Sequence, residues 1–430
     1  MSRCKSLTML LPIVLALTAC GQAPEPVANS KATDTTTSAP ASVPVTNASA
    51  GAIVITAQAG AVDGYAVNSD EFLWQLFTEF AAPAQAGVPA PVVFETWASD
   101  ADTFSTTPTW PAPGAAKKFQ ASVLGGANAQ THGAIDVPCV QPPNGALGGF
   151  PTSGTPTPCI AEEVKRNKPQ FDYIVGNNLN TQAGLAAAYA NNVDVQMPLS
   201  AISIKGDWIK VPTLIAWIPG LDNVETVREY YYTYVENGDT GPVEYALVSL
   251  HISSRQNANW VWGSLEHELN PGRCDDLGCY DTFGAVEPVV LPNRFQVNSQ
   301  YGSCDKSAAL QLLMSNAQLS PVWQNYCMKS TQVDYSAADG TPYALGNSVI
   351  ERITGNGTVV ASSCIACHVY ASFGSDGAPT KAATAMLPFN PTGEPIPAVL
   401  DGALKFDFMW GVVHAPAGGS VQKPWSQSKN

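Results

Sequence analysis

Cys364, Ile365, Ala366, Cys367 and His368 form a C-x-x-C-H run. Two thiols at this spacing can add across both vinyl groups of one haem. A histidine directly after the second thiol then lies under the ring, where its imidazole can bind iron. Cys364 and Cys367 are therefore expected as thioether anchors of one covalently bound haem c, with His368 as proximal iron ligand. The competing explanation is a short disulfide or redox dithiol with a histidine beside it by chance. Thioredoxin-type chemistry needs a βαβ setting, and no strand–helix–strand pattern surrounds this run.

A bound iron has a second axial position, filled or open. Met409, 41 residues after His368, and Met386 are the two methionines that follow the motif. Both are candidate distal ligands, against the alternative that either fills a core gap. His414 could ligate from the same C-terminal segment, and His132 sits in a Gly/Ala-rich stretch that reads as surface. His251 and His267 fall on two strand-like segments and are candidates for a distal acid–base role. If Ile252 pairs with Trp260, both face the same side of the sheet about 20 Å apart, too far to share a metal. Alternation turns Glu266 and Glu268 away from His267. Trp208, Trp260, Trp262 and Trp410 could relay electrons, but aromatic residues on strands more often serve as core.

The surrounding chain must be exported for such a haem to be attached. Arg3 and Lys5 precede an apolar stretch at 8–17, too short to span a bilayer, so residues 1–19 read as a signal peptide. It ends Leu17-Thr18-Ala19-Cys20, which resembles a bacterial lipobox. The resemblance implies cleavage before Cys20 and lipidation of its thiol, and Gly21 in place of Asp points to the outer membrane. Residues 20–50, mostly Ala, Pro, Ser, Thr, Val and Asn, read as a disordered tether reaching roughly 30 Å. Cys139, Cys159, Cys274, Cys279, Cys304 and Cys327 form an even set in an exported chain, which favours three disulfides over a zinc site. Sequence proximity pairs them 139–159, 274–279 and 304–327. Asp275, Asp276 and Asp281 beside one pair could meet calcium, although their spacing is not diagnostic.

With 34 prolines, 35 glycines and only 13% charged residues, the rest reads as loop-rich α+β. A β-rich body at 51–295 is expected to precede a helical, cytochrome-c-like haem lobe at 296–430. Phe72, Leu73, Leu76, Phe77 and Phe80 share one helical face behind a cap at Ser69, and Pro83 ends that helix. Residues 92–97 read as a strand and 101–158 as surface loops. Residues 202–209, 228–235, 243–253 and 260–268 read as strands, the last two joined by a polar loop. Helical spacing follows at 308–317, 321–328 and 345–353.

No P-loop, dinucleotide fingerprint, nucleophile elbow or zinc-protease motif is present. A net charge of −14 disfavours nucleic acid and anionic lipid surfaces and suits a basic docking partner, or simply solubility. Phe94-Glu95-Thr96-Trp97, Ile204-Lys205-Gly206-Asp207-Trp208, His251-Ile252, Trp260-Val261-Trp262 with Leu265-Glu266-His267, and residues 362–368 together resemble a group of large exported single-haem bacterial c-type cytochromes. Glu268-Leu269-Asn270 departs from the acidic residue and asparagine expected after that Glu-His pair. The resemblance implies haem binding and single-electron transfer between periplasmic or surface redox partners. It supplies neither a substrate nor an oligomeric state. A body of this size also admits a peroxidase- or oxygenase-type enzyme with an open distal site, and a non-haem binding lipoprotein is the third expectation.

Overall fold

The computed structural model describes residues 68–119, 129–132, 137–140, 160–238, 241–296, 298–349, 351, 362–380 and 392–418. Its centre is a nine-stranded antiparallel sheet of β1 (Ala98–Ser99), β2 (Ala129–His132), β3 (Val137–Val140), β4 (Ile160–Arg166), β5 (Ile202–Lys210), β6 (Thr233–Gly238), β7 (Gly241–Ser254), β8 (Val261–His267) and β9 (Tyr326–Gln332). The order across the sheet is β9-β8-β7-β5-β4-β3-β2, with β1 pairing β4 and β6 pairing β7. β9 comes from beyond residue 295, so the chain on both sides of that position contributes to one sheet. Among the described residues the α-helices are α1 (Ser69–Phe80), α2 (Asp100–Thr103), α3 (Lys168–Gly176), α4 (Gln182–Ala190), α5 (Val211–Trp217), α6 (Val224–Tyr230), α7 (Ala308–Asn316) and α8 (Cys364–His368). The mixed class read from composition, α+β, is borne out. No described helix is long and apolar enough to cross a membrane.

The two faces of the sheet differ in chemistry because residues alternate along each strand. One face carries Ile202, Ile204, Leu250, Ile252, Val261 and Leu265 and packs on the apolar stripe of α1, namely Leu73, Trp74, Leu76, Phe77 and Phe80. Burying each such side chain contributes about 1.5–3 kcal/mol. The α1 cap is Asn68, whose side chain accepts from the Glu71 amide, one residue earlier than the sequence indicates. Gly263 on β8 makes this packing possible, since a Cβ there would lie 1.8 Å from Leu73 Cδ2 and 2.9 Å from Leu73 Cγ. Gly263→Ala is therefore expected to destabilise the fold by about 1–3 kcal/mol through overpacking. A urea midpoint equal to that of the parent would show that α1 can shift at no cost.

Several elements differ from their sequence reading. Residues 93–96 turn into a 3-10 helix directly after Val92, the last residue of a short strand. Residues 224–230 form α6, capped by the Asn223 side chain, and the strand begins only at Thr233. The tyrosine run carries β-propensity, but the cap fixes a helix through its first member. After a 3-10 turn at Pro321–Asn325 the expected helix becomes β9, drawn into the sheet by pairing with β8. Within 101–158, β2 and β3 extend the sheet where loops are expected, and α2 caps itself through Ser99 and Asp102. Residues 345–348 are irregular, and most of the remaining helix expected there lies outside the described residues.

A buried ionic cluster ties the region before β2 to the sheet. The Lys117 ammonium lies 2.7 Å from Glu95 and 2.9 Å from Glu163, over the Trp208 ring. Lys165 adds a second cation 3.3 Å from Glu163. Burial opposes the Glu163 charge, yet Lys117 and Lys165 together hold its pKa below the ordinary value. A lowered carboxyl pKa adds stability that is fully present above the unfolded value and is lost as pH falls through the folded one. Glu163→Gln should therefore flatten the acid limb of a stability–pH curve below about pH 4.5. An unchanged acid limb would remove this cluster from acid unfolding.

Candidate functional site

The C-x-x-C-H run folds as the short helix α8, whose start is fixed by its neighbours. Ser363 is the N-cap, its hydroxyl accepting from the Ala366 amide at 3.3 Å. Gln332, at the end of β9, donates from Nε2 to that hydroxyl at 2.8 Å and accepts from the Ile365 amide at 3.3 Å. One buried glutamine thus locks the helix to the sheet edge, satisfying an amide that a helix start leaves without an intrahelical partner. Cys364 and Cys367 are both free thiols, whereas Cys274–Cys279 and Cys304–Cys327 are disulfides. Both expected pairings that can be checked are present. The third, Cys139–Cys159, involves a residue outside the described ones. Burial pushes the Cys367 thiol up to about 12 and raises Cys364 well above its usual value.

His368 lies half-buried at the helix end, with the Trp262 ring 4.6 Å and the Trp410 ring 6.3 Å away, centroid to centroid. Its Nδ1 is 2.7 Å from the Phe408 carbonyl oxygen. A carbonyl can only accept, so Nδ1 carries the proton and Nε2 keeps its lone pair. This is the tautomer a metal ligand needs. Burial lowers the ring's pKa to about 4, so it is neutral at ordinary pH.

The carbonyl is aimed by strained backbone. Asp407 and Phe408 both have left-handed φ, 45° and 67°, an arrangement that persists only where surrounding contacts over-determine it. Asp407 supplies those contacts. Its Oδ2 accepts from the Met197 amide at 2.7 Å and from Arg255 Nε at 2.9 Å, and its Oδ1 accepts from Trp260 Nε1 at 3.2 Å. Neither Asp407 nor Gln332 stands out in the sequence, because each acts through partners many residues away.

The second face of the sheet fronts an open cleft of about 820 Å³, lined by His368, Trp262, Met409, Trp410, His251 and His414 together with charged groups of β4 and β5. Lys205 pairs with Glu162 at 2.7 Å, and Arg166 pairs with Asp100. Asp207 beside them has its pKa raised well above the usual range, through burial and the nearby Glu162. The alternation Ser203, Lys205, Asp207 along β5 was the available signal for this polar wall.

His251 reaches the same cleft, and its Nε2 faces the Asn347 side-chain amide at 3.0 Å. A His251 ring nitrogen, a Glu351 carboxylate oxygen and Cys364 Sγ lie within 4.8 Å of one another. Burial holds His251 well below its ordinary pKa and raises Glu351 to about 7. His267 does not join them. The register pairs Ile252 with Gly263 rather than Trp260, so His251 lies opposite Ser264. His267, three positions further along, therefore falls on the other face, a parity change that corrects the shared face expected from sequence. There it stacks on Tyr231 at 3.5 Å, donates to the Tyr230 carbonyl and accepts from the Leu269 amide. Glu266 points away from it, as alternation requires, and binds Ser348.

Met409 is buried in the cleft wall, its sulfur accepting a hydrogen bond from Ser203 Oγ at 3.5 Å. His414 also lines the cleft, its Nε2 3.6 Å from Asp100. Trp208 and Trp260 are fully buried, in keeping with core roles. His132 lies on β2. Asp275 and Asp281 accept hydrogen bonds from protein donors. Met386 and Cys20 lie outside the described residues. No family model, curated protein or solved structure matches this chain.

Proposed function

We propose that this chain is a monohaem c-type cytochrome, held to the outer membrane by lipid on Cys20, that passes single electrons between periplasmic or surface partners. The observation that carries this reading is the bond from His368 Nδ1 to the Phe408 carbonyl, which leaves Nε2 free on a ring lining an open cleft. Two unpaired thiols on the same helix complete a donor set that fits covalent haem. Bound haem would supply an iron that cycles between ferric and ferrous. The protein's part is to hold the ligand. Gln332 and Ser363 fix the helix, Phe408 orients the imidazole, and burial keeps that imidazole unprotonated. In this reading the haem lobe is drawn from residues 296–430, with α8 and the segment 392–418 around the ligand, while β9 of the same stretch joins the central sheet. Met409, His414 and His251 are the described candidates for the distal position, and the acidic surface suits basic redox partners.

A second reading, a haem enzyme of peroxidase or oxygenase type, draws on one observation. The cleft wall carries Glu162, Lys205, Arg166 and Asp100, whose charges could bind and protonate a substrate. Oxidised and reduced optical spectra of the matured protein separate the two. A low-spin, six-coordinate haem indifferent to carbon monoxide is expected for the carrier. A high-spin haem that binds carbon monoxide and reacts with peroxide would move the enzyme to first place. Absence of haem would sink both readings and leave a binding lipoprotein, with His251, Glu351 and Cys364 as the group to test for metal.

A further inference from the structure

A second open cleft, about 810 Å³, lies between the segment running from Arg273 to Val290 and the turn from Tyr301 to Lys306, with Met328 of β9 behind it. Two buried cations line it. Arg273 is 3% exposed and Lys306 5%. Arg273 sends Nη2 to the Gly302 carbonyl at 3.2 Å, while Nη1 meets only the Cys274 and Cys279 sulfurs at 3.6 and 3.8 Å. Its Nε has no hydrogen-bond partner at all. Lys306 Nζ contacts the carbonyl and sulfur of Cys304, each at 2.8 Å. Among the described residues neither cation makes an ion pair with a carboxylate, although buried charges are ordinarily paired.

The carboxylates nearby are engaged elsewhere. Asp281 accepts from Trp74 Nε1 and from the Phe283 and Gly284 amides. Asp275 accepts from the Tyr301 hydroxyl and the Ser299 amide. Glu287 and Asp305, both exposed, line the cleft together with Asp281. Glu266 is bound by Ser348 and lies 3.6 Å from Lys329. Glu268, half-buried, adds a more distant charge.

We propose that this cleft binds a small oxyanion, a phosphate or a carboxylate, between the Arg273 guanidinium and the Lys306 ammonium. The guanidinium offers the planar donor geometry that such anions take, its buried Nε lacking a partner, and a lysine beside it adds a point charge. The electrostatics agree. Burial brings the Lys306 pKa down to about 8 and lowers that of Arg273, the charges of Asp281 and Glu268 at the lysine and of Glu266 and Glu268 at the arginine offsetting part of that cost. A bound anion would reverse both effects. The site lies apart from the residues lining the His368 cleft and does not depend on the cytochrome reading.

The test is calorimetric titration of the full matured chain with inorganic phosphate and, separately, acetate, at constant ionic strength. Saturable one-to-one binding of either probe is expected, and the tighter of the two assigns the ligand class. Lys306→Gln should weaken binding about tenfold or more, as loss of a charge-assisted hydrogen bond does. Lys306→Arg should retain most of it. Because changing Arg273 can disturb the fold, Arg273→Gln is compared only after its circular dichroism matches the parent. The unaltered protein supplies an independent readout, a Tm raised by the binding anion beyond the effect of chloride. No saturable heat and no such rise in the unaltered protein would overturn the proposal. So would equal affinity in folded Lys306→Gln protein.

Discussion

Asp407→Ala is expected to cost about 3–5 kcal/mol of folding stability, the range for removing one partner of a buried ion pair. Arg255 would be left buried without its carboxylate, and the Met197 amide and Trp260 indole would lose their acceptor. Alanine also tolerates the left-handed φ at this position less well than aspartate does. Urea unfolding gives the number, and a loss below about 1 kcal/mol would contradict the anchoring role. Asp407→Asn separates shape from charge. It keeps one acceptor oxygen, for the Met197 amide or the Trp260 indole but not for both, while removing the charge that pairs with Arg255, so its loss should be smaller than that of alanine but not zero. The change should also reach His368, because the Phe408 carbonyl follows Asp407 directly. A looser carbonyl leaves the imidazole free to take the other tautomer.

Replacing Cys364 and Cys367 together by alanine is expected to abolish covalent haem while leaving the sheet assembled. Neither thiol makes a disulfide, and the Gln332 and Ser363 contacts that hold α8 do not involve the sulfurs. Single replacements should leave one thioether and a shifted spectrum. The readouts are the haem-stained band on a denaturing gel and far-ultraviolet circular dichroism. Haem retained on the denatured double variant would refute the assigned anchors. A collapsed dichroism spectrum would show that α8 depends on its sulfurs for folding.

Local signals carried much of the fold. The helix at α1 was legible from apolar spacing, and the β7–β8 hairpin from two strand-like runs around a polar loop. Its register was not. Ile252 meets Gly263, against which Leu73 of α1 packs, a tertiary contact invisible to strand pattern. That shift of three positions sent His267 into the core and left His251 in the cleft. Residues 321–328 misled for a related reason, since pairing with β8 outweighed the helical spacing. In the candidate site, the thiols and His368 declared themselves through spacing. The groups that orient them, Gln332, Asp407 and the Phe408 carbonyl, act across 30 to 40 residues or more and carry no local pattern. The polar wall was half visible, in the alternation of Ser203, Lys205 and Asp207. The unpaired state of Arg273 and Lys306 could be seen only once their neighbours were in place.

The most direct test of the central claim is the intact mass of the mature protein, expressed with a haem-maturation system and denatured before measurement. A mass equal to the lipidated or delipidated chain plus one haem, with the haem retained on peptides containing Cys364 and Cys367, is the expected result. A mass without haem from a folded protein would contradict the account.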